Sequence, residues 1–301
     1  MRINPIQQNQ NCLNTNFKGT VTPEATRIIQ NLARHEAKNY VLCLGKGIKA
    51  DKNILLGVQK YWNAILKKLN EKASQMHSDT IVNIESRTNV LGDICPFNFI
   101  FKNQNLGVNL VQNIFIAEGF ITSESLAGEK LRNDVENIKP EIIDKEILEA
   151  AIKNLECELK NDNLSTYSTK YPAIIKYQNQ LKNVTKEEAK NNVTRLNKAI
   201  DDAKAQRAER DKEYLEAAIK ELERELKNDN LSTYSTKYPA IIQYQNLLKN
   251  VTKEEAKNNV TRLNKAIDDA KARRAERIRI ETIEQENLEL LDEIFCADKY
   301  L

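Results

Sequence analysis

Aromatic residues make up only 6% of the 301-residue chain, with a single Trp, and glycine and proline number 8 and 6. That scarcity excludes collagen-like, all-β propeller and proline-rich disordered chains and leaves a composition that permits helix. The two histidines, His35 and His77, stand 42 positions apart without an obvious serine or cysteine nucleophile nearby. A histidine-based triad or metal site therefore has little to draw on. Five cysteines (Cys12, Cys43, Cys95, Cys157, Cys296) are odd in number, far apart and form no C-x-x-C. They suggest neither a disulfide framework nor a zinc ribbon, and a reducing compartment is the default. No stretch approaches the roughly 18 apolar residues of a membrane span, and the beginning, Met1-Arg-Ile-Asn-Pro-Ile, has no apolar core of a secretion signal. A cytoplasmic location is the expectation.

Charged residues are plentiful at 30% and nearly cancel to +3. Residues 1–121 hold 14 Lys/Arg against 8 Asp/Glu, and residues 122–301 hold 32 against 35. Neither part is a strongly charged partner for nucleic acid. Residues 1–20 are polar and without periodicity, which predicts a flexible leader. Within it, Asn14-Thr-Asn-Phe17-Lys-Gly19 resembles a short beginning common in proteins of gut bacteria and implies no activity.

Residues 21–121 mix helical and strand periods, which predicts a compact α+β head. Thr22-Pro23-Glu24 supplies an N-cap, a proline in the first turn and an acid, followed by Ile28, Ile29 and Leu32 at helical spacing. One helix is expected to about Ala37, then a short strand over residues 40–44. Residues 51–73 carry Ile54, Leu55, Val58, Tyr61, Trp62, Ile65, Leu66 and Leu69 on one stripe, an amphipathic helix with Trp62 as core anchor. Residues 80–86, 97–101 and 108–116 read as three further strands. The head is thus expected as a small four-stranded sheet with two helices on one face.

From residue 122 long charged helices take over, first as a linker helix over 122–139. Residues 146–210 then align with 213–277 without a gap, and only six of the 65 pairs differ. These are Ile147/Tyr214, Asn154/Glu221, Cys157/Arg224, Lys176/Gln243, Gln180/Leu247 and Gln206/Arg273. This is a tandem duplication. In each copy a first helix stops at an Asn-Asp-Asn turn, a second is expected to restart at Pro172 or Pro239, and a third opens on a capping box, Thr185-x-x-Glu188 or Thr252-x-x-Glu255. No breaker separates Ala203 from Tyr214, so one helix is expected from Lys186 to Lys227. The fold class predicted for 140–277 is an all-α tandem array of two three-helix bundles (140–210 and 211–277) sharing a continuous linker helix, with a C-terminal capping helix over 278–301 that includes Ile280, Ile283, Leu290, Leu291 and Ile294. Cys157 misses the apolar stripe and is expected to be exposed.

Leu215-Glu-Ala-Ala-Ile219, Tyr234-Ser-Thr-Lys-Tyr238-Pro-Ala-Ile-Ile242, Thr252-Lys-Glu-Glu255 and Leu263-Asn-Lys-Ala-Ile267, with their counterparts in the first copy, resemble FIVAR repeats, three-helix modules of bacterial surface proteins. Tyr171-Pro172 and Tyr238-Pro239 stand where that family usually has Trp. The resemblance covers somewhat under half the chain and implies adhesion, ligand binding or spacing, with the cell surface as the alternative location.

No catalytic set, metal cluster or cofactor motif emerges. Gly45-Lys-Gly47 lacks the third glycine of a phosphate-binding turn, and Glu187-Glu188 and Asp201-Asp202 are adjacent acids on solvated helices. Tyr167, Lys170, Tyr171, Tyr234, Lys237 and Tyr238 enter each second helix and combine large contact area with low entropy cost, a partner-binding candidate. Lys271, Arg273, Arg274, Arg277 and Arg279 form the densest basic run, which reads foremost as solvated helix. The function expected is non-enzymatic protein interaction or adhesion, with a protein or glycan as partner. An enzyme or effector head (22–120) on a helical spacer, and RNA binding through the basic head, are the alternatives.

Overall fold

The computed structural model describes residues 18–88, 94–113 and 121–296. Its order is β1 (Thr20–Val21), α1 (Pro23–Cys43), α2 (Lys52–Ala73), β2 (Thr80–Thr88), β3 (Ile94–Asn103), β4 (Val108–Asn113), α3 (Leu126–Asn137), α4 (Pro140–Lys160), α5 (Tyr167–Gln180), α6 (Lys186–Lys227), α7 (Tyr234–Leu247) and α8 (Lys253–Cys296). Among the described residues, no helix is long and apolar enough to cross a membrane. Contacts divide the chain into two compact units, 1–200 and 201–301, the border falling inside α6.

The first unit opens as the sequence implies: the Thr22 hydroxyl accepts from the Ala25 amide at 3.0 Å, and Pro23 begins α1. The strand expected over residues 40–44 is absent, because α1 continues to Cys43. No breaker precedes Gly45, and Val41 and Leu42 are 46% and 68% exposed, so their β-forming side chains have no buried face to gain. The fourth strand is instead β1, which straddles the boundary expected between leader and head; residues 1–17 lie outside the described residues. Its neighbour Gly19 lies so close to the chain that a Cβ would meet the Ala73 carbonyl at 2.7 Å.

The sheet order is β1-β2-β3-β4, with β1 parallel to β2 and the other pairs antiparallel. Alternation aims Val82, Ile84, Phe99 and Phe101 inward, with Val82 opposite Phe101 and Ile84 opposite Phe99. They share the core with Ala25, Ile29 and Leu32 of α1 and Trp62, Ile65 and Leu69 of α2. Trp62 is the expected anchor. The expected strand over 108–116 is described to Asn113, and its remainder lies outside the described residues.

Residues 122–139, expected as a linker helix, hold the shorter α3, whose Leu131 and Val135 are buried. Gly128 in its first turn is pressed against the Thr122 carbonyl, which an added Cβ would approach to 2.0 Å. α6 matches its expected span, and α4 stops at the expected Asn-Asp-Asn turn. α5 and α7 begin five residues ahead of Pro172 and Pro239, which sit inside the helices. The hydroxyls of Thr166, Ser168 and Thr169 bond back to carbonyls three residues earlier, holding a short 3-10 turn that feeds α5 before the proline is reached. α4 ends on a left-handed residue, Asp162 (φ 64°), with Asn163 N–H bonded to Glu158 O and Asp162 N–H to Leu159 O; Asp229 (φ 63°) repeats this after α6.

In the second unit one cluster joins Leu215, Ile219, Leu222 and Leu226 of α6, Ile241 of α7, and Leu263, Ile267 and Ala270 of α8. The segment expected as a separate capping helix is the unbroken continuation of α8 to Cys296, because no Gly, Pro or turn residue interrupts it.

Candidate interaction surface

The two copies carry the same internal fasteners. Gln178, 2% exposed, donates to Ala189 O at 3.3 Å and accepts from Asn192 Nδ2 at 2.7 Å; Gln245 does the same with Ala256 and Asn259. Arg195 holds Glu156 through two near-parallel bonds of 2.6 and 2.7 Å and reaches Glu149 at 3.1 Å. Arg262 repeats this on Glu223 and Glu216. Such forked guanidinium–carboxylate bonds fix geometry as well as adding energy, and here they push both guanidinium pKa values up. The capping boxes form as expected: Thr185 N–H donates to Glu188 Oε2 at 2.8 Å while Glu188 N–H donates to Thr185 Oγ1 at 3.1 Å, and Thr252 and Glu255 match them.

The copies part company where the first meets the head. Asp144, 5% exposed, accepts from the backbone N–H of His77 at 3.1 Å, from Thr80 Oγ1 at 3.3 Å and from the Tyr177 hydroxyl at 3.2 Å. Burial raises its pKa above the ordinary carboxylate value, and those bonds hold the rise back. The hydroxyl of Tyr177 is pushed up as well, by burial and then by the Asp144 charge. The His77 ring stacks on Tyr177 at 4.2 Å between centroids, its Nδ1 within bonding distance of the Asp79 amide and its Nε2 2.8 Å from Gln180 Oε1. With Nδ1 accepting, Nε2 carries the proton and donates to Gln180. A polar groove of about 660 Å³ runs along this joint, lined by Met76, His77, Pro140, Asp144, Gln180 and Asn183 among others. Asp144 grips the main chain of His77 rather than its ring, so the pair is a fastener and not a proton relay.

Sixty-seven residues on, Asp211 and Tyr244 hold the same pair, hydroxyl to carboxylate at 3.4 Å. Burial again raises the pKa of Tyr244. Two of the six differing pairs fall on this surface. Ile147, one turn along α4 from Asp144, is fully buried, whereas Tyr214 is 67% exposed. Gln180 bonds His77, whereas Leu247 is 71% exposed. Tyr214 lies three residues past Asp211 on α6, and Leu247 three past Tyr244 on the antiparallel α7, so they flank the pair one turn to either side.

The tyrosines expected to bind a partner lie elsewhere. Tyr167, Tyr171, Tyr234 and Tyr238 are half-buried, and Tyr234 and Tyr238 pack against the core of the second unit. Lys170 is paired with Glu158, and Lys237 reaches Glu225 at 2.6 Å and Glu221 at 3.0 Å, which lowers the Glu225 pKa and raises that of Lys237. The basic run is divided. Lys271 lies 5.5 Å above the Tyr234 ring, Arg273 donates to Leu226 O at 3.2 Å, Arg277 pairs with Asp229 at 2.5 Å and Arg279 with Glu276, while Arg274 is exposed. Two of the five, Arg273 and Arg277, therefore close the end of α6.

The head contains a second buried acid. Glu36 accepts from Trp62 Nε1 at 2.7 Å and from the amide and hydroxyl of Ser123 at 2.8 and 2.5 Å, tying α1, α2 and the chain before α3 together. It borders a groove of about 720 Å³ lined also by Tyr40, Cys43, Ile54, Val58 and Tyr61. Sequence reasoning missed both acids, although each stands on an apolar stripe: Glu36 follows Ile29 and Leu32, and Asp144 precedes Leu148 and Ala151. Cys157 is exposed, as its phase predicts, and among the described residues no group of His, Cys, Asp and Glu is placed to hold a metal. Comparison of the chain with protein-family models, with curated proteins and with solved structures gives no match.

Proposed function

We propose that the chain is a non-enzymatic interaction protein in which a head is followed along the chain by two three-helix bundles that share α6, and in which the second bundle offers a partner the face that the first uses to hold the head. One observation carries this reading. Two copies that differ at six of 65 positions diverge where the first docks the head, and the second presents exposed Tyr214 and Leu247 there. An aromatic and an aliphatic side chain flanking a carboxylate–phenol pair suit a protein or glycan surface, since such anchors dominate binding energy. The shared fasteners Gln178/Gln245 and Arg195/Arg262 support the bundle arrangement, as does the likeness to FIVAR repeats.

The test is retention of proteins and glycans on the immobilised full chain, compared with full chains carrying Tyr214→Ala with Leu247→Ser, or Tyr171→Ala with Tyr238→Ala. Loss of a specific ligand with the first pair and its survival with the second supports the reading. Loss with the second pair alone moves the site to the loops entering α5 and α7. Turnover that depends on a head residue overturns the non-enzymatic assignment.

A further inference from the structure

Among the described side chains, α8 continues for roughly twenty residues past the last one that it buries. Ala270 is fully buried, and every side chain from Lys271 to Leu291 is exposed. That exposed length is not uniformly polar. Ile280, Ile283, Asn287 and Leu290 recur at spacings of three, four and three, the a and d positions of a heptad repeat, with Leu291 beside them at e, and in the sequence Ile294 falls at the next a. Ile280, Ile283, Leu290 and Leu291 are 43% to 54% exposed. The far side carries Glu281, Gln285 and Glu289, while Ile278 and Leu288 fall outside the stripe. A helix of this length with a narrow 3.5-residue stripe does not cover its own apolar face.

We propose that residues 278–296 form a parallel, in-register two-stranded coiled coil with the same segment of a second copy of this chain. Three features select that occupant. Leu290 at d and a single central asparagine at a select a parallel pair over the higher order that Ile280 and Ile283 would favour by themselves, because Asn287 meets its own counterpart across the seam and the two amides satisfy each other. Charge is complementary in that orientation: Arg279 at g faces Glu284 at the next e of the second copy. The bond Arg279 now makes to Glu276 is an exposed i,i+3 pair, so Glu284 joins it at little cost. An antiparallel pairing sets Asn287 against an apolar d residue and brings Glu286 toward another Glu286, leaving a buried amide unpaired and like charges facing. An anionic membrane surface is a poorer fit, because residues 280–293 hold six acids and no base. This inference does not depend on the binding face proposed above.

Sedimentation equilibrium of the full chain from about 1 to 200 μM is expected to show a concentration-dependent dimer. Ile283→Glu with Leu290→Glu weakens association by roughly 100-fold or more, since charges replace two buried seam layers. Asn287→Ile tightens it by about tenfold and moves part of the mass toward trimer. Circular dichroism checks that each variant remains helical. For orientation, Asn287→Cys should cross-link under mild oxidation, and peptide mass spectrometry should find residue 287 joined to residue 287. A monomer at all concentrations overturns the proposal. So does a dimer unmoved by the seam substitutions, a dimer without the 287–287 bridge, or a monomer that co-sediments with phosphatidylserine vesicles through this helix.

Discussion

Asp144 and Asp211 stand at the same 67-residue offset, two residues ahead of the aligned copies, and do different work. Removing the Asp144 carboxylate leaves the His77 amide, the Thr80 hydroxyl and the Tyr177 hydroxyl without their acceptor, and each buried unsatisfied group costs on the order of 1–3 kcal/mol. Asp144→Ala should therefore destabilise the first unit by about 2–4 kcal/mol, and Asp211→Ala the second by less than about 1 kcal/mol. Urea unfolding with hydrogen exchange read separately over α4–α5 and α6–α7 checks this; equal losses would remove the distinction between the copies. The acid's titration has a definite sign. Because its folded pKa lies above the ordinary 3.8, the native state holds the Asp144 proton more tightly than the unfolded chain does. Its contribution is complete below about 3.8 and is lost as pH rises through the raised value. A carboxyl-carbon NMR titration should place the Asp144 midpoint above 3.8, and a midpoint at or below it refutes the sign.

Elements start and stop where local chemistry says they should, except where a neighbour intervenes. Thr185 and Thr252 each close a capping box, so Thr→Ala at either should cost about 1 kcal/mol. Glu188 and Glu255 have lowered pKa values, caused first by the Thr185 and Thr252 amides they accept from, so the caps weaken as pH falls through those values. Thermal melts of Thr185→Ala and Thr252→Ala measure the first effect, and amide exchange across the first turns of α6 and α8 at falling pH measures the second. α3 has a different constraint. Gly128→Ala would drive a methyl group into the Thr122 carbonyl, and should cost about 1–3 kcal/mol or displace the start of α3. A variant as stable as the parent would show that this turn yields freely. Much at this scale was legible in the sequence: Thr22, Thr185 and Thr252 mark helix starts by short-range bonds that depend on a few residues. The run of residues 40–44 was not, because strand formation needs a buried face, and Val41 and Leu42 have none. Nor was β1, only two residues long, because its place beside β2 depends on a close approach at Gly19.

At the scale of the whole molecule, the duplication provides an internal control on environment. Ile147→Tyr crowds a fully buried site and should cost about 1–3 kcal/mol, whereas Tyr214→Ile, at an exposed site, should stay within about 0.5 kcal/mol. Differential scanning calorimetry of the two single variants makes the comparison, and similar effects would contradict the different burial of the two copies. The sequence by itself determined the duplication, the helical phases, the capping boxes and the unbroken α6, because each depends on neighbours within about one or two helical turns. It also carried the stripe at the end of α8. Only the tertiary structure decided that Asp144 and Glu36 are buried acids, that Lys170 and Lys237 are occupied by ion pairs, and that Ile147 lies inside while Tyr214 lies outside. The physical reason is that burial belongs to the partner a residue meets across the fold, and two nearly identical sequences meet different partners here.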